Sequence, residues 1–259
     1  VTDESGHTVR VLEGSKNTCI NRIWWDLKYE APTTAKLRTK PAKHQHTKMG
    51  QEGWRPLITY ASAQCPLAAP GTYSVTLSVM GQEYLQKLII MKDPNTNGSE
   101  EDVRVQLRTL LELREDLNTV VGMINQIEWL RKQLGDLESL MKDKNQGDSI
   151  LDAAGELEDS AISVEGRLFD VNMTGAREDA FRSPMKLYGR LSALASDLTG
   201  HGVDFQPTDQ QREVSSIFNE RLKKIQANFD SLFEYEIPEL NKKLKSTDLK
   251  IQTQKQIKS

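Results

Sequence analysis

Several residue sets in this chain could do chemistry, and each lacks part of what that chemistry requires. Glycoside hydrolysis needs two carboxyl groups flanking a sugar cleft. The acids here stand mostly at the solvent-face spacing of helices, as Glu112, Glu115 and Asp116 do. A di-metal bundle needs Glu-x-x-His repeats on facing helices, and none of the four histidines falls in an expected helix. His44-x-His46 could ligate a metal, but it sits in a basic, proline-containing loop with no Cys or acidic cluster beside it. No Gly-x-Ser-x-Gly, P-loop or Cys-x-x-Cys occurs. No catalytic residue, cofactor or metal is therefore assigned.

Binding chemistry is better represented. Between Lys36 and Arg55 the cations Lys36, Arg38, Lys40, Lys43, Lys48 and Arg55 face a single acid, Glu52. Such a loop could bind an anionic glycan or nucleic acid; the alternatives are a solvated loop or one docked on an acidic neighbour. A nucleic-acid site would interleave aromatics, and only Trp54 is there. Trp24, Trp54 and Tyr60 offer rings on which a sugar could stack; the alternative is that the tryptophans pack on a neighbouring part. The interaction candidates are Trp24, Trp54, Tyr60, Lys43, Arg55 and, in the helical half, Trp129. The net charge of −3 implies no nucleic-acid partner. No run of about 18 apolar residues is present, so no membrane insertion is expected. Cys19 and Cys65 are either a disulfide of an exported protein or two unpaired thiols. The acceptor triplets at Asn97 and Asn172 are read as chance.

The elements that must carry these residues divide in two. Residues 1–94 read as β, with a long basic loop over 29–68. Asp3-Glu4-Ser5-Gly6 is a hairpin turn with almost no strand before it, so the chain is expected to be a fragment whose first strand is missing. Cys19–Leu27 reads as a strand that turns Trp25 inward and Trp24 outward. Leu57–Tyr60 is a candidate short strand. Tyr73, Val75, Leu77 and Val79 alternate with small polar residues. A turn at Met80–Glu83 then leads to a second alternating run ending at Ile90, which makes a hairpin. Residues 95–259 read as an antiparallel four-helix bundle with one very long helix. From Ser99 to about Lys142, Val103, Leu107, Leu110, Leu113, Leu117, Val120, Ile124, Ile127, Leu130, Leu134, Leu137 and Met141 recur in steps of three and four. At 1.5 Å per residue that helix is roughly 65 Å long and needs partners. Further helices are expected over 148–172, from Pro184 to Leu198 and from Thr208 onward, with breaks at Asn145–Gly147 and Thr199–Gly202. Pro238 should kink or break the last one. Gly122, Gly135, Gly155, Gly166 and Gly189 inside helices are expected to mark close helix approach.

Several stretches in order resemble a known family. They are Val9-Arg10-Val11-Leu12, Asn21–Leu27, Ala69–Leu77 and Lys92-Asp93-Pro94, followed in the helical part by Ser183–Leu191. Together they resemble the C-terminal Ig-like and helical region of bacterial exported β-propeller proteins with sortilin-like, BNR (Asp-box) repeats, often labelled glycosyl hydrolases. The Ig-like pattern is also similar to one in the flagellar hook-capping protein. The resemblance implies an Ig-like β-sandwich over 1–94. It also implies an exported protein, periplasmic, outer-membrane-associated or extracellular, and a propeller of the same parent chain as partner. No Ser-x-Asp-x-Gly-x-x-Trp box occurs here, so no propeller activity carries over.

Three readings follow. The first is a non-catalytic structural or interaction module of a larger exported propeller protein. Trp25 and Tyr73 would hold its sandwich core, and Leu117, Ile124 and Leu130 its bundle seam. Leu111, Val121 and Trp129 would widen an outer stripe for a homo-oligomer through the helical bundle. The second is a carbohydrate-binding accessory domain, and the third an enzyme whose site lies at the junction with a propeller. The first is adopted.

Overall fold

The computed structural model describes residues 1–59, 65–141, 148–199, 204–247 and 249–253. Four strands come first: β1 (Lys36–Leu37), β2 (Arg55–Pro56), β3 (Gly71–Val79) and β4 (Gln82–Ile90). Among the described residues six α-helices follow: α1 (Glu100–Met141), α2 (Asp148–Leu168), α3 (Asp179–Arg182), α4 (Leu187–Leu198), α5 (Asp209–Ser231) and α6 (Ile237–Leu244). The chain groups into two compact units. One comprises Val1–Pro32, Ala63–Glu115 and Leu194–Glu213; the other comprises Thr33–Ser62, Asp116–Ala193 and Val214–Ser259.

The first unit is built on the β3–β4 hairpin. Met80 and Gly81 both have positive φ, 51° and 78°, which makes the two-residue turn whose twist matches antiparallel strands. The pairing runs without slip from Val79 opposite Gln82 to Gly71 opposite Ile90. Only the base of the hairpin is packed. Tyr73 is buried there with Val9, Tyr29 and Ala68, and Val1, Leu88, Ile90, Leu107 and Leu111 close around them. Trp25 meets Tyr73 edge to face, ring centroids 5.9 Å apart, and its Nε1 donates to the Lys28 carbonyl at 2.9 Å. Trp25 and Tyr73 therefore pack together, with Trp24 turned outward, but at the base of a lone hairpin and not in the sandwich core expected of them. The Asp3–Gly6 turn forms as well; the Gly6 N–H donates to the Asp3 carbonyl at 3.0 Å.

The Ig-like sandwich expected over 1–94 does not form. Among the described residues the strands make only two two-stranded sheets, the two-residue pair β1–β2 and the β3–β4 hairpin. A sandwich buries the inner faces of two sheets against each other. Here Leu77, Val79, Tyr84 and Leu85 in the distal half of the hairpin stay exposed. The strand expected at Cys19–Leu27 is also absent, and only the following residue, Lys28, makes a bridge, to Leu67. Cys19 and Leu27 have φ of 81° and 59°, outside the extended region. Alternating side chains make a strand only where a neighbouring backbone accepts the ladder. No strand occurs over residues 57–59, and Tyr60 lies outside the described residues.

The helical segments match the periodicity closely. At the start of α1 the Ser99 Oγ accepts the Asp102 N–H at 3.1 Å while Asp102 Oδ2 accepts the Ser99 N–H at 2.8 Å. That reciprocal pair is a capping box, and it sets the start within one residue of expectation. A second one, between Thr208 and Gln211, starts α5. α2 ends at Leu168, short of the expected 172, where Asp170 Oδ1 accepts the Asn172 N–H at 3.1 Å and turns the chain. Pro184 stands outside α4, which begins at Leu187. Ser183 before it is extended, as a residue preceding proline prefers.

Pro238 acts through the turn that precedes it. Leu232–Glu236 forms one π-helical turn between α5 and α6. Buried Phe218, Leu222, Ile225, Phe229 and Leu232 step by three and four. The next step, to Ile237, is five, and Leu240 and Leu244 resume the rhythm. The extra residue of the π turn keeps the stripe on one face while the missing proline N–H is absorbed. α2 runs beside this turn and α6. The helical glycines are not close approaches in general. A Cβ on Gly122, Gly135, Gly155 or Gly166 would meet nothing within 4 Å, and only at Gly189 would it press on a neighbour, Met185 Cγ at 2.8 Å. The expected breaks at Asn145–Gly147 and Gly200–Gly202 lie outside the described residues.

Candidate functional site

In the second unit, α1 and the long basic loop form one polar construction. The loop crosses α1 by donating its backbone to side chains of the helix. The Thr33 N–H goes to Asn118 Oδ1 and the Lys36 N–H to Asn125 Oδ1, both at 2.8 Å. Glu128 Oε2 takes the Arg38 and Thr39 N–H groups, and Glu128 Oε1 accepts the Thr39 hydroxyl at 3.0 Å. Steps of seven and three along a helix keep these acceptors on one face. The backbone of an irregular segment must find partners when water is excluded, and α1 supplies them.

Below this ladder lies a sealed charge cluster. Glu128 and Glu165 are both fully buried, and Arg131 between them is 9% exposed. Arg131 Nη1 donates to Glu165 Oε2 at 2.7 Å and lies 3.6 Å from Glu128 Oε1. Its Nε is 3.7 Å from Glu158. Glu165 Oε1 is buried with no hydrogen-bond partner. Burial, and next the charge of Glu128, push the Glu165 carboxyl well above the usual carboxylate range, against the pull of Arg131. Arg55 is buried too, its Nε donating to the Thr39 carbonyl at 3.0 Å and its Nη1 to the Met173 carbonyl. A perturbed acid can act as a catalyst only where substrate reaches it. Glu128 and Glu165 are both fully buried, and through Glu128 the cluster fastens the loop to the helices.

The sequence candidates fall differently from expectation. Arg55 is 2% exposed and spends its donors on backbone carbonyls, so it adds nothing to a surface anion site. Lys43 is exposed. Trp54 is half-buried, with Lys36 Nζ 5.1 Å from its ring centroid and Nε1 donating to Glu52 at 2.7 Å. Trp129 is likewise half-buried, with the Arg38 guanidinium 4.5 Å over its ring. The outer stripe named for a second copy is in use within the chain. Leu111 packs on the Val9–Tyr73 cluster, Val121 is fully buried, and Trp129 carries Arg38. Cys19 and Cys65 are both free. The rings of His44 and His46 lie edge to face, centroids 5.9 Å apart. Among the described residues no helix is long and apolar enough to cross a membrane.

In the first unit the open surface is apolar. Trp24 is 80% exposed, with Arg22 5.8 Å from its ring centroid. Both faces of the hairpin carry bare apolar side chains: Leu77, Val79 and Tyr84 on one face of the distal half, Leu85 on the other, and Ile89 on that second face at the base.

The Glu128–Arg131–Glu165 cluster was missed by sequence reasoning, although a signal existed. Glu128 follows Ile124 by four and Arg131 follows Ile127 by four. Glu165 stands between Ala161 and Leu168 on the stripe of α2. Charges at stripe positions of two helices point to a buried pair. No protein-family model, no curated protein and no solved structure matches this chain.

Proposed function

We propose that the chain is a non-catalytic interaction module that supports the assembly or docking of a larger exported β-propeller protein, with the propeller of the same parent as its partner. The observation that carries this reading is the bare apolar surface of the first unit. Leu77, Val79, Tyr84, Leu85 and Ile89 are 45–70% exposed on a single hairpin, with Trp24 at 80%. A group of exposed large apolar side chains on one element supports a contact site. The choice of partner rests on the ordered motifs that resemble those of the propeller family. Titration calorimetry of this chain against the separately produced propeller tests the reading. Saturable binding is expected, lost in the L77D/Y84D double variant with its circular dichroism unchanged. Absence of binding to the propeller overturns the reading.

A second reading, a carbohydrate-binding accessory role, is favoured by the Trp24 indole alone, since an open ring beside a cation suits a sugar face. A glycan screen with Trp24→Ala as control decides it, and no glycan bound removes it.

A further inference from the structure

Each strand of the β3–β4 hairpin has an outer edge, and the two edges are treated differently. The two-residue turn makes Val79–Gln82 a hydrogen-bonded pair, so the ladder bonds of β4 fall on its even-numbered residues. On β3 the outward groups are Thr72 and Ser74 near the base. Ser74 exchanges two backbone hydrogen bonds with Thr2, at 2.8 and 2.9 Å, and the Thr72 N–H reaches Glu4 Oε1 at 3.2 Å. On β4 the outward groups are those of Glu83, Leu85, Lys87 and Ile89. No backbone partner for them occurs among the described residues, and all four side chains are exposed. A straight, bare edge of this length is a template for another strand.

We propose that this edge pairs with β4 of a second copy of the chain, antiparallel about a two-fold axis through Leu85. The inference deepens the interaction-module reading by naming one partner. The charges on the edge choose both partner and register. An axis at Leu85 sets Glu83 opposite Lys87 of the second copy, and by symmetry does so twice, with Leu85 against its own equivalent between the two pairs. An axis at Glu83 or at Lys87 would oppose like charges. An axis at Tyr84 or Gln86 leaves Lys87 facing the turn glycine or an apolar residue. Opposite charges directly across an antiparallel pair stabilise it and like charges destabilise it. The Leu85 register also puts outward groups opposite outward groups, which gives about six backbone hydrogen bonds across the axis. The result is a four-stranded sheet whose Leu77–Val79–Tyr84 faces run together.

Sedimentation equilibrium of the full chain tests this, at concentrations up to about 200 µM so that weak self-association is populated. A dimer is expected. Glu83→Lys alone and Lys87→Glu alone each oppose like charges twice, and each is expected to weaken the dimer about tenfold or more. The E83K/K87E double variant restores the pairing and is expected to return to the wild-type constant. Both side chains are exposed, so the variants leave the fold intact. A wild-type monomer overturns the proposal, as does self-association indifferent to the single reversals or a double variant that does not recover. Propeller binding in the calorimetric experiment is read separately, so loss of the dimer and loss of docking are distinguishable.

Discussion

Replacing Glu165 with Gln tests whether burial in the sealed cluster holds the Glu165 carboxyl above the usual carboxylate range in the folded state. Glu165 is fully buried, accepts Arg131 Nη1 at 2.7 Å, and keeps its other oxygen unpartnered. Its pKa is raised by burial and then by Glu128. The folded state therefore binds this proton more tightly than the unfolded state does. Below the ordinary glutamate value of 4.5 the resulting stability is complete. It is lost as pH climbs from there through the raised folded value, with a slope of about 1.4 kcal/mol per pH unit while one proton is differentially bound. The amide keeps the shape and the acceptor but has no proton to lose. Urea unfolding of both proteins between about pH 5 and pH 8 should therefore show the variant gaining on wild type at up to that slope as pH rises. Glu165→Ala opens a cavity and takes a partner from Arg131; having no proton to lose either, it is expected to lie about 3–5 kcal/mol below the Gln variant at every pH. A Gln variant that loses as much as the Ala variant would refute the argument, as would a stability difference that does not change with pH.

The four open helical glycines should be improvable. Gly122→Ala, Gly135→Ala, Gly155→Ala and Gly166→Ala meet no atom within 4 Å, so each is expected to add about 0.5–1 kcal/mol, read as additive rises in Tm. Gly98→Ala should do the opposite. Its Cβ would lie 1.5 Å from the Asp204 carbonyl oxygen, backbone that cannot swing aside, and a loss of about 1–3 kcal/mol in chemical denaturation is expected. Asn125→Ala removes the acceptor of the Lys36 N–H and the donor to the Thr34 carbonyl. A cost of about 1–3 kcal/mol is expected, with faster amide exchange at Lys36 than in wild type.

The helices were legible because their signals are local. Steps of three and four, a Ser or Thr with Asp or Gln three residues on, and a proline near a stripe's end each act within one or two turns. They placed the start of α1 to within a residue and marked where α5 would be disturbed. The π turn itself was hidden until the five-residue step from Leu232 to Ile237 could be set beside a helix that stays on one face. The β reading succeeded for β3–β4, whose turn residues force the pairing. It failed for Cys19–Leu27, whose alternation had no neighbouring backbone to pair with.

Charge and aromatic residues show the same division. Their types are written in the chain, but their roles depend on what surrounds them. Arg55 looks like surface cation chemistry in a basic loop, yet it is buried with its donors on backbone carbonyls. Glu128 and Glu165 look like ordinary helical acids until two segments close over them. What local pattern dictates here is where the helices run and where the hairpin turns. Which charges lose their water, and which apolar faces stay bare, is settled only by long-range packing, because desolvation depends on segments far apart in sequence.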